Sequence, residues 1–202
     1  MPLWLAADAL VLASKSKARG TLLVAAGIPI EVRPANLDER AIESDAPSAE
    51  PSAVAMHLAR EKALFVDRDN RGRLVLGADQ VLALGGRRFT KPPDRAAARG
   101  QLQALSGRTH SLHSAVACVQ GGAVVFEHVS VARLTMRTLS DGFLDAYLDA
   151  AGDIATESVG AYQLEGLGSQ LFERVEGDYF ATLGLPLLEV LDFLRRRGCL
   201  QV

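Results

Sequence analysis

Apolar positions along this chain follow two patterns, which are short runs and longer stretches with helical spacing. The short runs, bounded by glycine, proline or charged residues, predict strands at 10–13, 30–33, 73–84, 110–119, 123–137 and 169–175. The longer stretches predict helices at 14–27, 52–66, 92–107, 140–148 and 187–197. Residues 36–52 are acidic and rich in proline, serine and alanine, which predicts a mobile loop.

The order of these elements predicts an α/β fold with one mixed sheet. The two long strands joined by Gly121-Gly122 form a hairpin, whereas most other strands are separated by helices that suit crossover connections. The chain of 202 residues is 49% hydrophobic, so it can bury a substantial core. Its length predicts a single domain over residues 1–202, or two lobes that share a core.

Composition and charge exclude several classes of function. The net charge is −2 and the longest basic run is residues 195–197, so we expect no nucleic-acid or anionic-membrane surface. The N-terminus lacks a basic region and is interrupted by Asp8 and Lys15, so we expect neither a signal peptide nor a membrane span. Cys118 and Cys199 lie far apart and read as reduced thiols, which favours a cytoplasmic location.

A carboxylate interrupts the apolar strand at 73–84 and is the first candidate for chemistry. Burying an unpaired Asp costs several kcal/mol, so Asp79 predicts a facing cation, metal or ligand. Gly77, two positions earlier, indicates close approach of another backbone. The alternative interpretation is a capping or turn Asp at the end of the strand.

The junction between the first strand and the first helix predicts a phosphate site. Free N–H groups at a helix start attract anions, Ser14 and Ser16 supply hydroxyls there, and Arg19 can bind a phosphate with two hydrogen bonds. The alternative is an ordinary capped helix with solvated lysines.

Two lysines and an acidic pair extend this candidate site. Lys62 lies on the predicted apolar face of its helix, where it either snorkels or reaches a buried anion. Lys91 precedes the stiff Pro92-Pro93 turn, and its alternative is a solvated loop cation. The Asp38-Glu39 pair could face Asp79 and complete a hard-cation site of oxygen ligands, although such a pair is usually solvated.

Other common catalytic patterns are missing from the sequence. It contains no G-x-x-x-x-G-K-[ST] loop, no G-x-G-x-x-G fingerprint, and no Ser-His-Asp or Cys-His signature. The four histidines have no metal-ligand spacing, so we interpret them as structural or surface residues.

Taken in order, these segments resemble the Maf family of nucleoside triphosphate pyrophosphatases. The matching segments are Leu12-Ala13-Ser14-x-Ser16-x-x-Arg19, Ala59-Arg60-Glu61-Lys62-Ala63, Gly77-Ala78-Asp79-Gln80-Val81, Lys91-Pro92, Leu105-Ser106-Gly107-x-x-His110, Gly160-Ala161-Tyr162-x-x-Glu165-Gly166 and Gly184-Leu185-Pro186-Leu187. They extend from near the start almost to the end of the chain, which makes the match specific.

The resemblance implies a fold, a reaction and a set of site residues. The fold would be like that of inosine triphosphate pyrophosphatases, an elongated mixed sheet flanked by helices with a cleft between two lobes. Asp79 matches the proton acceptor and Glu39 the acidic loop residue, and a divalent metal, usually Mg²⁺, is implied. The phosphate-binding positions are matched by Ser14, Arg19, Lys62 and Lys91. A cytoplasmic homodimer is implied as well.

The residues that distinguish the subgroups of the family do not assign this chain to one of them. Gln80 and Glu165 match the subgroup that prefers 7-methyl-GTP, whereas the dTTP/UTP subgroup has Thr and Gln there. At the position of Ala18 the subgroups carry either Arg or Trp, each linked to base selection, and Lys17 replaces a common proline. A guanine-type triphosphate is the expected substrate. The alternatives are a dTTP/UTP pyrophosphatase, or a non-catalytic nucleotide sensor that regulates septum formation.

Overall fold

The computed structural model describes residues 3–202, and this part of the chain contains seven strands and eight α-helices. The strands are β1 Leu10–Ala13, β2 Ile30–Val32, β3 Val75–Leu84, β4 Arg87–Phe89, β5 Thr109–Gln120, β6 Ala123–Met136 and β7 Phe172–Glu176. The helices are α1 Lys17–Ala25, α2 Glu39–Ser44, α3 Pro51–Asp67, α4 Arg95–Leu105, α5 Asp141–Ala151, α6 Ile154–Glu157, α7 Tyr179–Thr182 and α8 Leu187–Arg196.

The strands form one sheet in the order β2-β1-β3-β5-β6-β7, with β4 paired to β3. Strand β1 is parallel to β2 and β3, whereas the other pairs are antiparallel. The α/β fold with a mixed sheet flanked by helices is therefore confirmed.

Strand β3 has two different neighbours along one of its edges. Its first part, Val75–Gly77, pairs with the end of β1, and its last part, Leu82–Leu84, pairs with β4. Between these parts, residues 78–81 have no paired strand on that edge among the described residues. On the other edge β5 pairs with β3 from Val75 to Ala83. The sheet is thus split along one edge only, and Asp79 lies in the split.

The hydrophobic core divides around this split into two lobes. In the first lobe, α1 and α8 pack on β1 and the start of β3 through residues such as Leu12, Leu23 and Val190. In the second lobe, α4 and α5 pack on the end of β3 and on β5 and β6. Helix α3 covers the other face of the sheet next to both lobes. The split in the sheet is therefore the floor of a cleft between the lobes.

Gly77 allows α3 to lie close to β3. A Cβ atom at this position would be 2.1 Å from the carbonyl oxygen of Ala59 and 2.9 Å from the Cβ of Ala63. No side chain fits there without moving the helix, so the close approach predicted from Gly77 is confirmed.

Two sequence predictions about the elements were wrong, and one strand was missed. Residues 36–52 contain α2 instead of a continuous loop, and the Asp38 side chain caps this helix by accepting hydrogen bonds from the N–H groups of Arg40 and Ala41. Helix α2 is too short for its apolar residues to show a periodic pattern. Strand β4 was not predicted, because three residues after a glycine turn carry little signal. The last strand begins at Phe172, since residues 167–171 form a 3₁₀ turn.

Two further expectations concern the helices and the cysteines. None of the helices in residues 3–202 is long and apolar enough to cross a membrane. Cys118 is buried, Cys199 is half-buried, and both thiols are free.

Candidate functional site

The floor of the cleft carries a cluster of two carboxylates and one ammonium group, which we call the ion cluster (Asp79, Lys62 and Glu39). The Lys62 Nζ atom lies 2.5 Å from Asp79 Oδ1 and 2.8 Å from Glu39 Oε1. The side chains of Lys62 and Asp79 are 9% and 12% exposed, whereas that of Glu39 is 55% exposed. Lys62 therefore reaches a buried anion, which was the less common of its two predicted outcomes.

Local sequence explains why these three side chains meet. Helix α3 starts at Pro51, is capped by Glu50, and buries Leu58 and Lys62 on one face because they are four residues apart. Side chains alternate along β3, so Asp79 faces α3 together with Gly77. The missing side chain at Gly77 brings the helix close enough for Lys62 to reach the strand.

Arg19 closes one end of the split in the sheet. Its Nη1 atom donates hydrogen bonds to the Ala78 carbonyl (2.8 Å) and to Ser14 Oγ (2.9 Å), and its Nε donates to the Gly184 carbonyl (2.8 Å). Ser16 caps α1 by accepting a hydrogen bond from the backbone N–H of Arg19. The guanidinium therefore takes the place that a continuing β1 would have filled beside Ala78.

Burial and nearby carboxylates act in opposite directions on Arg19. Burial lowers the pKa of its guanidinium, while the charges of Asp79 and then Glu39 raise it. An arginine stays protonated in proteins even when buried. A fixed positive charge therefore lies close to the ion cluster.

Gln80 lies on the opposite face of β3 from Asp79 and is tied to α7. Its Nε2 atom donates to Ser114 Oγ (2.8 Å) and lies 3.1 Å from the Ala181 carbonyl and 3.3 Å from the Thr182 carbonyl. Ser114 is fully buried and donates to the same Ala181 carbonyl at 2.6 Å. Because carbonyl oxygens only accept hydrogen bonds, the side-chain oxygen of Gln80 must point away from this segment.

Lys91 is exposed and makes no ion pair or side-chain hydrogen bond with the described residues. It follows β4, in which Phe89 pairs with Leu82. Lys91 lies two residues beyond this pair, where β4 has ended, on the edge of β3 that carries the split. The structure therefore brings Lys91 to the second-lobe side of the cleft without joining it to the ion cluster.

Glu165 is also exposed and lies in a turn after the short 3₁₀ segment Val159–Ala161. Gly160, in that segment, packs against Leu82, which lies on the Gln80 face of β3. Glu165 therefore belongs to the second lobe as well, and it is not in contact with Asp79, Lys62 or Arg19.

The two carboxylates of the ion cluster are the candidates for holding a hard cation. Magnesium is commonly bound through one or two carboxylates together with substrate phosphates, and Asp79 and Glu39 provide such a pair. Asp38, the other member of the predicted acidic pair, caps α2 instead. No group of three potential metal-binding side chains occurs among residues 3–202. The donor set therefore fits a cation that is shared with a phosphate ligand.

Sequence reasoning missed two groups that organise the site. Ser114 is a polar residue in the middle of an apolar strand, and the same signal that drew attention to Asp79 could have found it. The Gly184 carbonyl, which accepts a hydrogen bond from Arg19, carried no recognisable signal because the two residues are 165 positions apart.

Two of the motifs quoted above meet outside the cleft. His110 Nε2 and the Tyr162 hydroxyl are 2.7 Å apart in the core of the second lobe, and both side chains are buried. Burial lowers the pKa of His110 to about 4 and raises the pKa of Tyr162. His110 is therefore neutral at pH 7, as expected for a structural histidine.

Comparison with known proteins identifies relatives over the whole chain. Residues 9–197 match the family described as Maf-like protein. A nucleoside triphosphate pyrophosphatase of Rhodopseudomonas palustris is 55% identical over 202 residues, which is 100% of both chains. A 7-methyl-GTP pyrophosphatase of Brucella abortus is 51% identical over 95% of this chain and 97% of its own. A dITP/XTP pyrophosphatase of Mycobacterium abscessus is 16% identical, with a TM-score of 0.40 over 95% of each chain.

Proposed function

The chain belongs to the Maf-like protein family, and from this premise we propose that it hydrolyses nucleoside triphosphates to monophosphates and pyrophosphate. Relatives that match it over their full length carry the name nucleoside triphosphate pyrophosphatase. The observation that carries the proposal is the ion cluster beside Arg19 at the split in the sheet. It combines a buried base with fixed cations, which is what attack of water on a phosphoryl group requires.

Asp79 is the proposed base. Its Oδ1 atom is bound to Lys62, while Oδ2 accepts no hydrogen bond from the described residues and stays free for water. A water molecule held at Oδ2 would attack the α-phosphorus and pass a proton to the carboxylate. The bond from the α-phosphorus to the bridging oxygen would break, and pyrophosphate would leave.

The cations stabilise the charge that this attack builds on the phosphates. Lys62 holds Asp79 in its orientation, and it can reach a phosphate oxygen from the same position. Arg19 is fixed by three protein oxygen atoms, so its charge is already in place before substrate binds. Lys91 lies on the opposite wall of the cleft and is proposed to contact the outer phosphates.

A hard divalent cation such as Mg²⁺ completes the proposal. Asp79 and Glu39 are the residues that would hold it, and it would supply charge neutralisation of the triphosphate. Glu39 is exposed and lies in the first turn of α2, so it can release Lys62 when a phosphate arrives.

The proposed substrates are guanine-type triphosphates. The carboxylate of Glu165 can accept hydrogen bonds from the N1–H and 2-amino groups of guanine, a pair of adjacent donors that pyrimidines lack. A relative from Brucella abortus carries the name 7-methyl-GTP pyrophosphatase. Ala18 supplies no aromatic ring for stacking, so we expect the preference to be modest. The predicted homodimer and cytoplasmic location stay predictions from the family resemblance.

The test is a pyrophosphate assay on the purified protein with a panel of triphosphates. We expect release of pyrophosphate in the presence of Mg²⁺, faster with GTP and 7-methyl-GTP than with dTTP and UTP, and loss of release with a chelator. Tight nucleotide binding without turnover would contradict the enzyme and favour the nucleotide sensor. Faster cleavage of dTTP or UTP would contradict the guanine preference alone.

A further inference from the structure

We propose that the turn Gly160–Tyr162 fixes the loop that carries Glu165, and that Ala161 is a positioning residue for base selection. The inference rests on the proposed function, because it takes the base of a nucleotide as the ligand of that loop. It is carried by an unusual backbone conformation, by three hydrogen bonds that hold it, and by the packing of the loop that follows.

Ala161 is the non-glycine residue with positive φ among residues 3–202, at 62°. The preceding Gly160 has φ 78°, so two consecutive residues adopt the left-handed region. For alanine this conformation is unfavourable, because its Cβ atom lies too close to the following carbonyl oxygen. Strain of this kind persists where the surroundings determine the backbone, and it concentrates at functional sites.

Two helices and one strand each hold the turn by a separate hydrogen bond. Gln101 on α4 accepts from the Gly160 N–H at 3.0 Å, and the Tyr147 hydroxyl on α5 donates to the Ala161 carbonyl at 3.1 Å. The Tyr162 hydroxyl bonds to His110 on β5. The turn is thus fixed at each of its three residues.

The turn also packs directly on β3 beside the cleft. A Cβ atom on Gly160 would lie 2.6 Å from Leu82 Cδ1, so only glycine fits. Leu82 lies on the same face of β3 as Gln80 and is the next side chain along that face. The turn is therefore held in a fixed position against β3, the strand that forms the floor of the cleft.

The loop after the turn is closed on itself. The Gly166 N–H donates to the Gln163 carbonyl at 3.2 Å, and a Cβ on Gly168 would lie 2.4 Å from the same oxygen. Residues 163–168 therefore form a compact loop whose two ends are in contact. The direction in which it presents Glu165 is then determined by the turn before it.

The variant Ala161→Gly tests whether residue 161 positions Glu165, because it should change that positioning with little effect on the stability of the fold. Glycine adopts φ 62° without strain, so we expect thermal unfolding of the variant to show little change in stability from wild type. The turn, however, gains conformational freedom, and the direction of Glu165 becomes less defined. A residue with only a structural role would not lose base selectivity when its strain is relieved.

The experiment measures the ratio of kcat/KM for GTP to that for UTP, and the ratio of Kd values for their non-hydrolysable analogues. With the Kd ratio taken as the UTP analogue over the GTP analogue, so that both ratios rise with guanine preference, we expect Ala161→Gly to lower both about three- to tenfold. We expect Tyr162→Phe, which removes the bond to His110, to do the same. Ala26→Gly, at the end of α1, is the matched control and should leave both ratios unchanged.

A double-mutant cycle tests whether the turn acts through Glu165. In a Glu165→Gln background, Ala161→Gly should cause no further loss of either ratio. Unchanged ratios in folded Ala161→Gly, a further loss in the Glu165→Gln background, or a wild-type protein with equal affinity for both analogues would each overturn the inference. If the wild-type protein binds the analogues but releases no pyrophosphate, the proposed function fails while the Kd ratios still decide this inference.

Discussion

The floor of the cleft and the core of the second lobe both bury polar side chains, but they treat charge in opposite ways. In the cleft, Lys62 and Asp79 are buried as an ion pair, with Glu39 and Arg19 close by. In the second lobe, His110 is buried with the hydroxyl of Tyr162 and faces no carboxylate, so burial lowers its pKa to about 4.

This difference separates chemistry from architecture among the motif residues. Both regions contain segments that the sequence singled out, and both pairs of partners lie far apart in the chain. A buried side chain that stays charged because an opposite charge lies beside it can take part in proton transfer and phosphate binding. A buried group without an opposite charge becomes neutral, and it contributes packing and a hydrogen bond.

We expect the largest effect on activity from replacing Asp79, the proposed base in the cleft. Asp79→Asn keeps the shape of the side chain and leaves Lys62 paired with Glu39, so we expect a folded protein. Pyrophosphate release should fall by about a hundredfold or more, because an amide cannot accept the proton from water. Steady-state kinetics and thermal unfolding measure the two effects. Near-normal turnover would exclude Asp79 as the base.

Removing the cation of the ion cluster should lower activity and stability together. Lys62→Met leaves Asp79 buried without its partner, which we expect to cost about 3 kcal/mol in the free energy of unfolding. We expect kcat/KM to fall by about tenfold or more. Denaturant unfolding and kinetics check both. A lysine that only snorkels would instead give unchanged kinetics and a small change in stability.

The neutral pair of the second lobe should respond to pH instead. The pKa of His110 lies at about 4 in the folded protein and near its usual 6.5 in the unfolded chain. The unfolded chain therefore binds the proton first, so the stability is full above pH 6.5 and is lost as pH falls toward 4. Between pH 7 and pH 5 we expect His110 to account for a loss of about 2 kcal/mol.

Unfolding of wild type and His110→Phe across this pH range measures that loss. The variant should be less stable at pH 7, because Tyr162 loses its partner, but its stability should decline less steeply. His128→Phe, on β6, is the matched control, because it removes a histidine and leaves His110 and Tyr162 in place. Equal slopes for wild type and His110→Phe would exclude His110 as the group that titrates.

We expect the smallest effect on stability and activity from replacing Lys91, which lies in the second lobe next to the cleft. It is exposed and unpaired within the described part of the chain, so Lys91→Met should leave the free energy of unfolding unchanged within about 0.5 kcal/mol. We expect KM for the triphosphate to rise by roughly two- to fivefold as one phosphate contact is lost. An unchanged KM would remove Lys91 from the phosphate site.

The sequence predicted those parts of the site that depend on local periodicity. Asp79 stood out because it interrupts an apolar strand, and Lys62 because it lies on an apolar helical face. The structure brings these two together as a pair. A capped helix was the alternative interpretation of the segment that contains Ser16, and Ser16 accepts the hydrogen bond expected of a cap.

The parts that could not be predicted depend on contacts between distant segments. Helix α2 carries Glu39 to Lys62, but it has only six residues and no apolar stripe. The bond from Arg19 to the Gly184 carbonyl and that from Gln80 to the Ala181 carbonyl join the start and middle of the chain to its end. Such backbone acceptors have no side-chain signature, and only the folded chain reveals them.

The one-sided split in the sheet also determines how stiff the molecule is. Strand β5 follows β3 without interruption beneath the split, from Val75 to Ala83, and so binds the floor of both lobes into one ribbon. Moving the two lobes apart would bend this continuous pair of strands and strain the hydrogen bonds between them. We therefore expect the cleft to keep its width when a ligand binds, and the ligand to displace side chains at its rim such as Glu39, which is 55% exposed.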